Sequence, residues 1–322
     1  MKDVNVAVIG IGAMGKNHAR VYSELDGVKL VAVADVNEGA EETAKRHNCR
    51  FYKDYREMLK KENIDAMSIA VPTKLHKDVT LDAIRAKKHV LIEKPITDNI
   101  RDAEELIREA RQNKVKLMVG HVERFNPAVQ RLKEIIDEGR LGKLTSMIAR
   151  RVGLFPPRIK DANVIIDLAV HDIDIFHYIT GTEPKEVYSS SGRALIDKRE
   201  DYAELFLKYE GVTGFIQVNW ITPIKIRNLS ITGTKGYAEL DYLTQELVLY
   251  ESNYKNGYDD FGDFIIKFGK PNKVEIGVEQ KEPLKAELEH FIDCVKNGKE
   301  PSVNGETALA ALKVALSVVS GN

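Results

Sequence analysis

Apolar residues fall in short runs along the first third of the chain, separated by amphipathic stretches. Val4, Val6, Val8 and Ile9 suit a buried strand, and Ala13 to Leu25 then carry helical spacing. The alternation continues with VKLVAVADV before the helix-like NEGAEETAKRHN, IDAMSIAVP before HKDVTLDAIRAKK, and HVLIEKP before NIRDAEELIREARQNK. VKLMVGHV gives a fifth strand. Strands separated by amphipathic helices predict βαβ units and a parallel sheet. After Val122 the pattern changes. ERFNPAVQRLKEIIDEGRLG predicts a helix with a glycine-marked end, KLTSMIARRV a strand, and GLFPPRIKDANVI a proline-containing loop before IDLAVHDIDIFHYITG. From about Lys185 onward, strand-like stretches with short turns predict a mainly antiparallel sheet. PLKAELEHFIDCVKNG and GETALAALKVALSVVS close the chain as helices. The expected fold is an α/β Rossmann domain (a doubly wound parallel sheet) over residues 1–121. An α+β domain with an open, mainly antiparallel sheet follows over residues 122–322 and includes both closing helices.

Composition narrows the function classes. The 322 residues exceed a comfortable single core, which fits two domains. A formal net charge of -1 argues against nucleic-acid or membrane partners recruited by overall charge. No apolar run reaches the roughly 18 residues of a membrane span, and the N-terminus lacks a signal peptide's apolar core. Cys49 and Cys294 lie far apart, without CxxC or Cys/His spacing, so neither a disulfide nor a metal site is expected. A reducing cytoplasm is the simplest setting.

Doubly wound sheets bind ligands in the loops at their strand C-termini, so the chemistry is sought there. Gly10, Ile11, Gly12, Met14 and Gly15 form a GxGxxG loop between the first strand and the first helix. Such a loop lets backbone approach a pyrophosphate, and the helix N-terminus adds N–H groups and partial positive charge. A glycine turn alone is weak, but Asp35 ends the second strand twenty residues after Gly15. An acid there accepts hydrogen bonds from ribose hydroxyls and repels a 2′-phosphate. NAD is the expected cofactor rather than NADP, because no arginine immediately follows Asp35. Pro72 and Thr73 end the third strand, where the chain should pass the nicotinamide half. His76 reads equally as a cofactor contact or as a polar residue in a helix's first turn.

Glu93 and Lys94 follow the apolar run Val90–Ile92 at once. Strands must surface somewhere, and charges can simply mark the exit. The helix IDLAVHDIDIFHYITG offers a second reading, because Asp167, His171, Asp174 and Tyr178 share one stripe of an otherwise apolar helix. His171 is then either a core histidine paired with a carboxylate or an acid–base group oriented by one. Oxidising a secondary alcohol with NAD needs a base near neutrality and a cation to stabilise the developing alkoxide. A histidine and a strand-end lysine meet those needs if they converge on one carbinol.

Gly10–Gly12–Gly15, Asp35, the Pro72–His76 segment, Glu93–Lys94–Pro95 and Asp167 to His171, taken in this order, resemble the Gfo/Idh/MocA oxidoreductases. The resemblance spans the chain. It implies a Rossmann domain, a second domain whose sheet makes homodimer or homotetramer contacts, and a catalytic Lys94 partnered by Asp167 and His171. Glu93 and Lys94 would also line the cofactor site. Many members have glycine two residues after that aspartate, where this chain has Ala169. GHVERFNP and NWITPIKIRNLSITGTKGYAELDY resemble the sugar-nucleotide branch, which implies oxidation of a UDP-sugar, at C3 of UDP-N-acetylglucosamine, to a 3-keto sugar. Its diphosphate would need donors, and Arg124, Asn126, Arg151 and Arg158 are the candidates, although each arginine alone also reads as a solvated charge. An inositol or free-sugar dehydrogenase of the same fold, or a non-catalytic NAD-binding regulator, are the alternatives. The expected partner is a small molecule, with no nucleic acid and no membrane.

Overall fold

The computed structural model describes residues 3–155, 162–258, 261 and 264–320, which divide into two compact units. The first contains Met1–Val122 and Glu282–Leu316, and the second Glu123–Lys281 with Ser317–Asn322.

In the first unit, β1 (Val4–Ile9), α1 (Ala13–Glu24), β2 (Val28–Ala34), α2 (Glu41–Arg46), β3 (Arg50–Tyr52), α3 (Tyr55–Lys61), β4 (Ala66–Ile69), α4 (His76–Arg85), β5 (His89–Glu93), α5 (Ile100–Asn113) and β6 (Leu117–Gly120) follow in order. The six strands form one parallel sheet ordered β3-β2-β1-β4-β5-β6. Val6, Val8, Ala66, Met67, Leu91 and Ile92 are fully buried, as a sheet covered on both faces requires. Chain order reverses between β1 and β4, and the C-terminal ends of these strands are where such sheets bind ligands. β3 is an addition to the five strands read from the sequence, and α3 is an additional helix. β3 is a three-residue edge strand, half-buried at best, too short to announce itself as an apolar run.

The second unit holds α6 (Pro127–Asp137), β7 (Leu144–Leu154), α7 (Val170–Thr180), β8 (Glu186–Gly192), β9 (Tyr202–Lys208), β10 (Thr213–Asn219), β11 (Ile221–Gly233), β12 (Gly236–Asp241), β13 (Leu247–Glu251), β14 (Tyr254–Tyr258), β15 (Phe264–Phe268) and β16 (Asn272–Ile276). Eight of these strands form a sheet ordered β16-β13-β12-β11-β7-β10-β9-β8, antiparallel except for β7 and β10, while β14 and β15 pair as a separate hairpin. One face of the sheet is buried. Gly214 leaves room there for the Phe176 ring of α7, which a Cβ would meet at 2.5 Å.

The closing helices α8 (Pro283–Asn297) and α9 (Gly305–Ser320) were expected in the second domain. Apart from the last turn of α9, they belong to the first unit. The segment before α9 hydrogen-bonds to the outer edge of β6, with Val119 N–H donating to the Val303 carbonyl at 3.0 Å. Helical periodicity names a buried face without naming what covers it, so the sequence could not assign this packing.

Candidate active site

The glycine loop is built by close backbone approach. Gly10 has φ of +87°, and a Cβ there would lie 2.6 Å from the Ala70 carbonyl oxygen, so β1 and β4 can lead out side by side only around a glycine. Gly15 presses α1 onto the Gly10 carbonyl, where any Cβ would collide. Gly12, by contrast, faces open space with nothing within 4 Å of where a Cβ would stand. Bare backbone at the start of a twelve-residue helix fits a pyrophosphate. The side chain of Ile11 is buried in the core, so only its backbone serves the loop, whereas Met14 is exposed.

Asp35 is held in place by that loop. One carboxylate oxygen accepts the Ile11 N–H at 2.6 Å and the other accepts the Asn37 N–H at 2.8 Å. The acid thus ties the glycine loop to the end of β2 while remaining half-exposed. Pro72 is exposed and Thr73 half-buried just beyond β4. His76 differs from a cofactor contact. It is 1% exposed, with Nδ1 2.9 Å from the Pro95 carbonyl and Nε2 3.0 Å from the Val71 carbonyl. Its ring therefore links the loops after β4 and β5. Burial pushes its pKa down, against the opposing pull of the two carbonyls and of Glu93.

Lys94 lies immediately beyond β5, half-buried, and its peptide bond to Pro95 is cis. Glu93 is largely buried, and its Oε1 lies 2.9 Å from His18 Nε2. Burial pushes the Glu93 carboxyl up, but the His18 hydrogen bond, with the charges of His18, Lys94 and His76, holds it below the ordinary glutamate value. His18 was not singled out in the sequence. The available signal was a polar residue sharing the buried face of α1 with Val21 and Tyr22 at helical spacing.

In the second unit, Asp167 and His171 flank a change of helical winding. Residues Ile165–Ala169 form a π-helical turn that passes into α7 at Val170. Asp167 and His171 are half-buried on a segment that otherwise buries nearly every side chain. Asp174, expected on the same stripe, is instead 1% exposed. It receives Arg124 through Nε at 2.6 Å and Nη2 at 2.7 Å, and that guanidinium lies over the Tyr178 ring.

Of the four diphosphate donors expected from sequence, the three in described positions are used internally. Arg124 is committed to Asp174, as above. Asn126 is fully buried, caps α6 through the Ala128 N–H, and donates to the Tyr242 carbonyl at 3.0 Å. Arg151 is 4% exposed, donates to both oxygens of Asp172 at 2.9 and 3.0 Å and to Glu123 at 2.8 Å, and stacks on Tyr242. Burial opposes its charge, but those two carboxylates more than compensate and hold its pKa above the ordinary arginine value. Buried arginines with carboxylate partners are structural ion pairs. Arg158 lies outside the described residues. Arg227, which sequence reading passed over, is half-buried and donates to the carbonyls of Val152 and Ile226 at 2.5 and 2.7 Å. Burial and the neighbouring Arg151 push its pKa down to about 10, while Asp172, Glu123 and Asp167 pull the other way.

The glycine cradle, the amide-held acid at the end of β2 and the reversal of strand order define a dinucleotide-binding unit of the oxidoreductase type. The family model described as "Oxidoreductase family, NAD-binding Rossmann fold" matches residues 4–121, and the GFO/IDH/MocA C-terminal domain matches residues 129–239. The chain belongs to the Gfo/Idh/MocA oxidoreductases, NAD-dependent dehydrogenases that act on small molecules. It is 29% identical to a UDP-N-acetylglucosamine 3-dehydrogenase of Acidithiobacillus ferrooxidans, over 99% of this chain and 97% of that protein. A solved structure of that Acidithiobacillus ferrooxidans enzyme superposes with a TM-score of 0.86 at 28% identity, covering 99% of this chain and 97% of that one. A scyllo-inositol 2-dehydrogenase (NAD(+)) of Bacillus subtilis is also 29% identical, over 98% of this chain and 93% of its own length.

Proposed function

We propose that this protein oxidises the C3 hydroxyl of UDP-N-acetylglucosamine to a 3-keto sugar, with Lys94, His171 and Asp167 as its catalytic groups. The observation that carries the chemistry is the placement of Lys94 directly after β5, beside an ionised Glu93, at the ligand-binding edge of an NAD-binding sheet. Bound NAD supplies the hydride acceptor. Gly10, Gly12 and Gly15 would hold its pyrophosphate against the N-terminus of α1, Asp35 would hold the adenosine ribose, and Pro72 and Thr73 would border the nicotinamide half. The Lys94 ammonium stabilises the oxygen of the carbinol as its proton leaves. The His171 imidazole takes that proton, and Asp167 holds the ring's tautomer and orientation.

The substrate assignment rests on likeness to the Acidithiobacillus ferrooxidans enzyme along nearly the whole chain. With Arg124 and Arg151 committed to carboxylates, Arg227 becomes the favoured cation for a diphosphate. The residue is half-buried, its guanidinium bonds to backbone carbonyls, and its pKa is lowered first by burial and then by the like charge of Arg151, which an incoming anion would offset. A second reading, inositol oxidation, is favoured by the equal identity to the Bacillus subtilis enzyme and needs no diphosphate contact. The protein is further proposed to self-associate through the open face of the second unit's sheet.

Spectrophotometric NAD reduction with UDP-N-acetylglucosamine, UDP-glucose, myo-inositol and scyllo-inositol tests the reading. The expected result is a kcat/KM for UDP-N-acetylglucosamine at least about 100-fold above either inositol. Preference for an inositol would replace the first reading with the second. Tight NAD binding without reduction by any of the four would point to a regulator.

A further inference from the structure

Behind Lys94 runs a buried chain of polar side chains, of which the proposed chemistry uses only Glu93. His18 of α1 is fully buried, with Nδ1 2.9 Å from Ser68 Oγ of β4 and Nε2 2.9 Å from Glu93 Oε1. Ser68 is also fully buried, and its Oγ lies 2.8 Å from the hydroxyl of Tyr22, itself buried. Glu93 Oε2 accepts the Lys94 N–H at 3.3 Å. On the other side β6 presents Gly120, where a Cβ would stand only 3.2 Å from Glu93 Oε2, so any larger residue would crowd the carboxylate.

Hydrogen-bond capacity fixes the Glu93 end of this chain. A carboxylate only accepts, so His18 Nε2 carries a proton and donates to Glu93. Its Nδ1 pairs with the Ser68 hydroxyl, which in turn pairs with the hydroxyl of Tyr22. Burial pushes the Tyr22 phenol pKa up and keeps it protonated. Every member has a hydrogen-bond partner, as a buried network must if it is to be rigid. The charged and titratable groups around it are His76 from α4 and Lys94, both acting on Glu93, and Glu287 of α8, acting on Tyr22.

We infer that His18, braced by Ser68 and Tyr22, is a positioning residue: it locks the Glu93 carboxylate against the Lys94 backbone and so fixes the charge beside which the Lys94 ammonium works. This inference rests on the reading of Lys94 as the catalytic lysine, and the test separates the two. His18→Leu keeps the bulk and removes both ring contacts, whereas His18→Gln retains an amide N–H for Glu93. Without a donor, burial favours a protonated Glu93, and Lys94 loses its neighbouring anion.

Two readouts apply: NAD reduction with UDP-N-acetylglucosamine (or scyllo-inositol if wild type prefers it), and Lys94 acylation by an N-hydroxysuccinimide ester at about pH 8 without cofactor or substrate, quantified by peptide mass spectrometry. His18→Leu is expected to lower kcat about 10- to 100-fold with KM within about threefold, and to label Lys94 at least about threefold faster. His18→Gln is expected to recover kcat to within about fivefold of wild type. If His18→Leu fails to fold, Ser68→Ala carries the test, with an expected loss in kcat of about 3- to 10-fold and faster labelling. Wild-type kcat and labelling in whichever of these variants folds, alongside an inactive Lys94→Ala, overturn the positioning role. Full turnover in Lys94→Ala instead removes the lysine from the chemistry, and unchanged labelling in His18→Leu would still end the positioning claim on its own.

Discussion

Arg124 illustrates how burial changes the meaning of a charge. Read as a surface cation it suits a diphosphate, but in place it forms a two-point ion pair with Asp174, whose side chain is 1% exposed. Removing one partner of such a pair leaves the other charged and desolvated. Arg124→Ala is therefore expected to cost about 3–5 kcal/mol of folding stability in denaturant unfolding. Arg124→Met with Asp174→Leu should return most of that loss, since apolar replacement of both partners is often neutral. A stable Arg124→Ala with a raised KM would restore the substrate reading. His76 makes a separate prediction through pH. Burial lowers its folded pKa, so below its unfolded value of about 6.5 the unfolded chain binds more protons than the folded one. Its contribution is complete above about pH 6.5 and declines as pH falls through that value toward the folded pKa. His47, His89 and His290 are shifted the same way, mainly by burial, so wild type should lose stability on acidification from pH 7 to 5. His76→Gln should flatten that slope by up to one proton's share. An unchanged slope would mean that His76 is already charged in the fold.

At the level of elements, Asn126 settles α6 twice over. It caps the helix at Ala128 N–H, ahead of Pro127 at the first helical position, and ties it to the Tyr242 carbonyl. Asn126→Ala removes the cap and strands a buried carbonyl, for an expected loss of roughly 2–3 kcal/mol with KM within about twofold of wild type. A tenfold rise in KM at unchanged stability would return Asn126 to substrate binding. The same helix shows why some elements are legible. The Asn–Pro pair and the glycine after the last turn are local signals, as are the glycine loop before α1 and the largely apolar runs of β1, β2, β4 and β5. What is not local is not legible. Arg124 meets a carboxylate 50 residues away, Arg151 meets one 21 residues away, and neither spacing carries a signal. The helical wheel drawn through Asp167 assumed 100° per residue, whereas the chain inserts a π turn over Ile165–Ala169. That turn shifts Asp167 relative to the rest of the stripe, whereas Asp174, in α7 with His171, is buried by its pairing with Arg124. His18 was hidden for another reason: its partners arrive on β4 and β5, brought together only by strand order.

The second unit's sheet carries an exposed row of apolar side chains. Register places Tyr188 opposite Phe206, Phe206 opposite Phe215 and Phe215 opposite Ile148, so one outward row crosses β8, β9, β10 and β7. These four side chains are 57, 41, 37 and 45% exposed. The row turns polar at Ser230 and Glu239 on β11 and β12. Glu204, Gln217 and Arg150 lie in the next row on the same face, and Lys208, Thr213 and Ser146 in the row on the other side. An apolar centre with a polar rim is the anatomy of a protein–protein interface, and a sheet face that meets its own copy forms a closed, two-fold contact. With a formal net charge of -1, long-range repulsion between copies is small. The expected outcome is a stable oligomer at micromolar concentration by sedimentation velocity. Phe206→Glu with Phe215→Glu should convert it to monomer, because like charges and unpaired carboxylates would be buried at the centre of the contact. Both positions already face water in the single chain, so the unfolding midpoint of the monomer should change little. A wild type that sediments as a monomer, or a double variant that keeps the oligomer's mass, would show that this row is not the interface. In either case the apolar row would have to be explained by some other partner of matching shape.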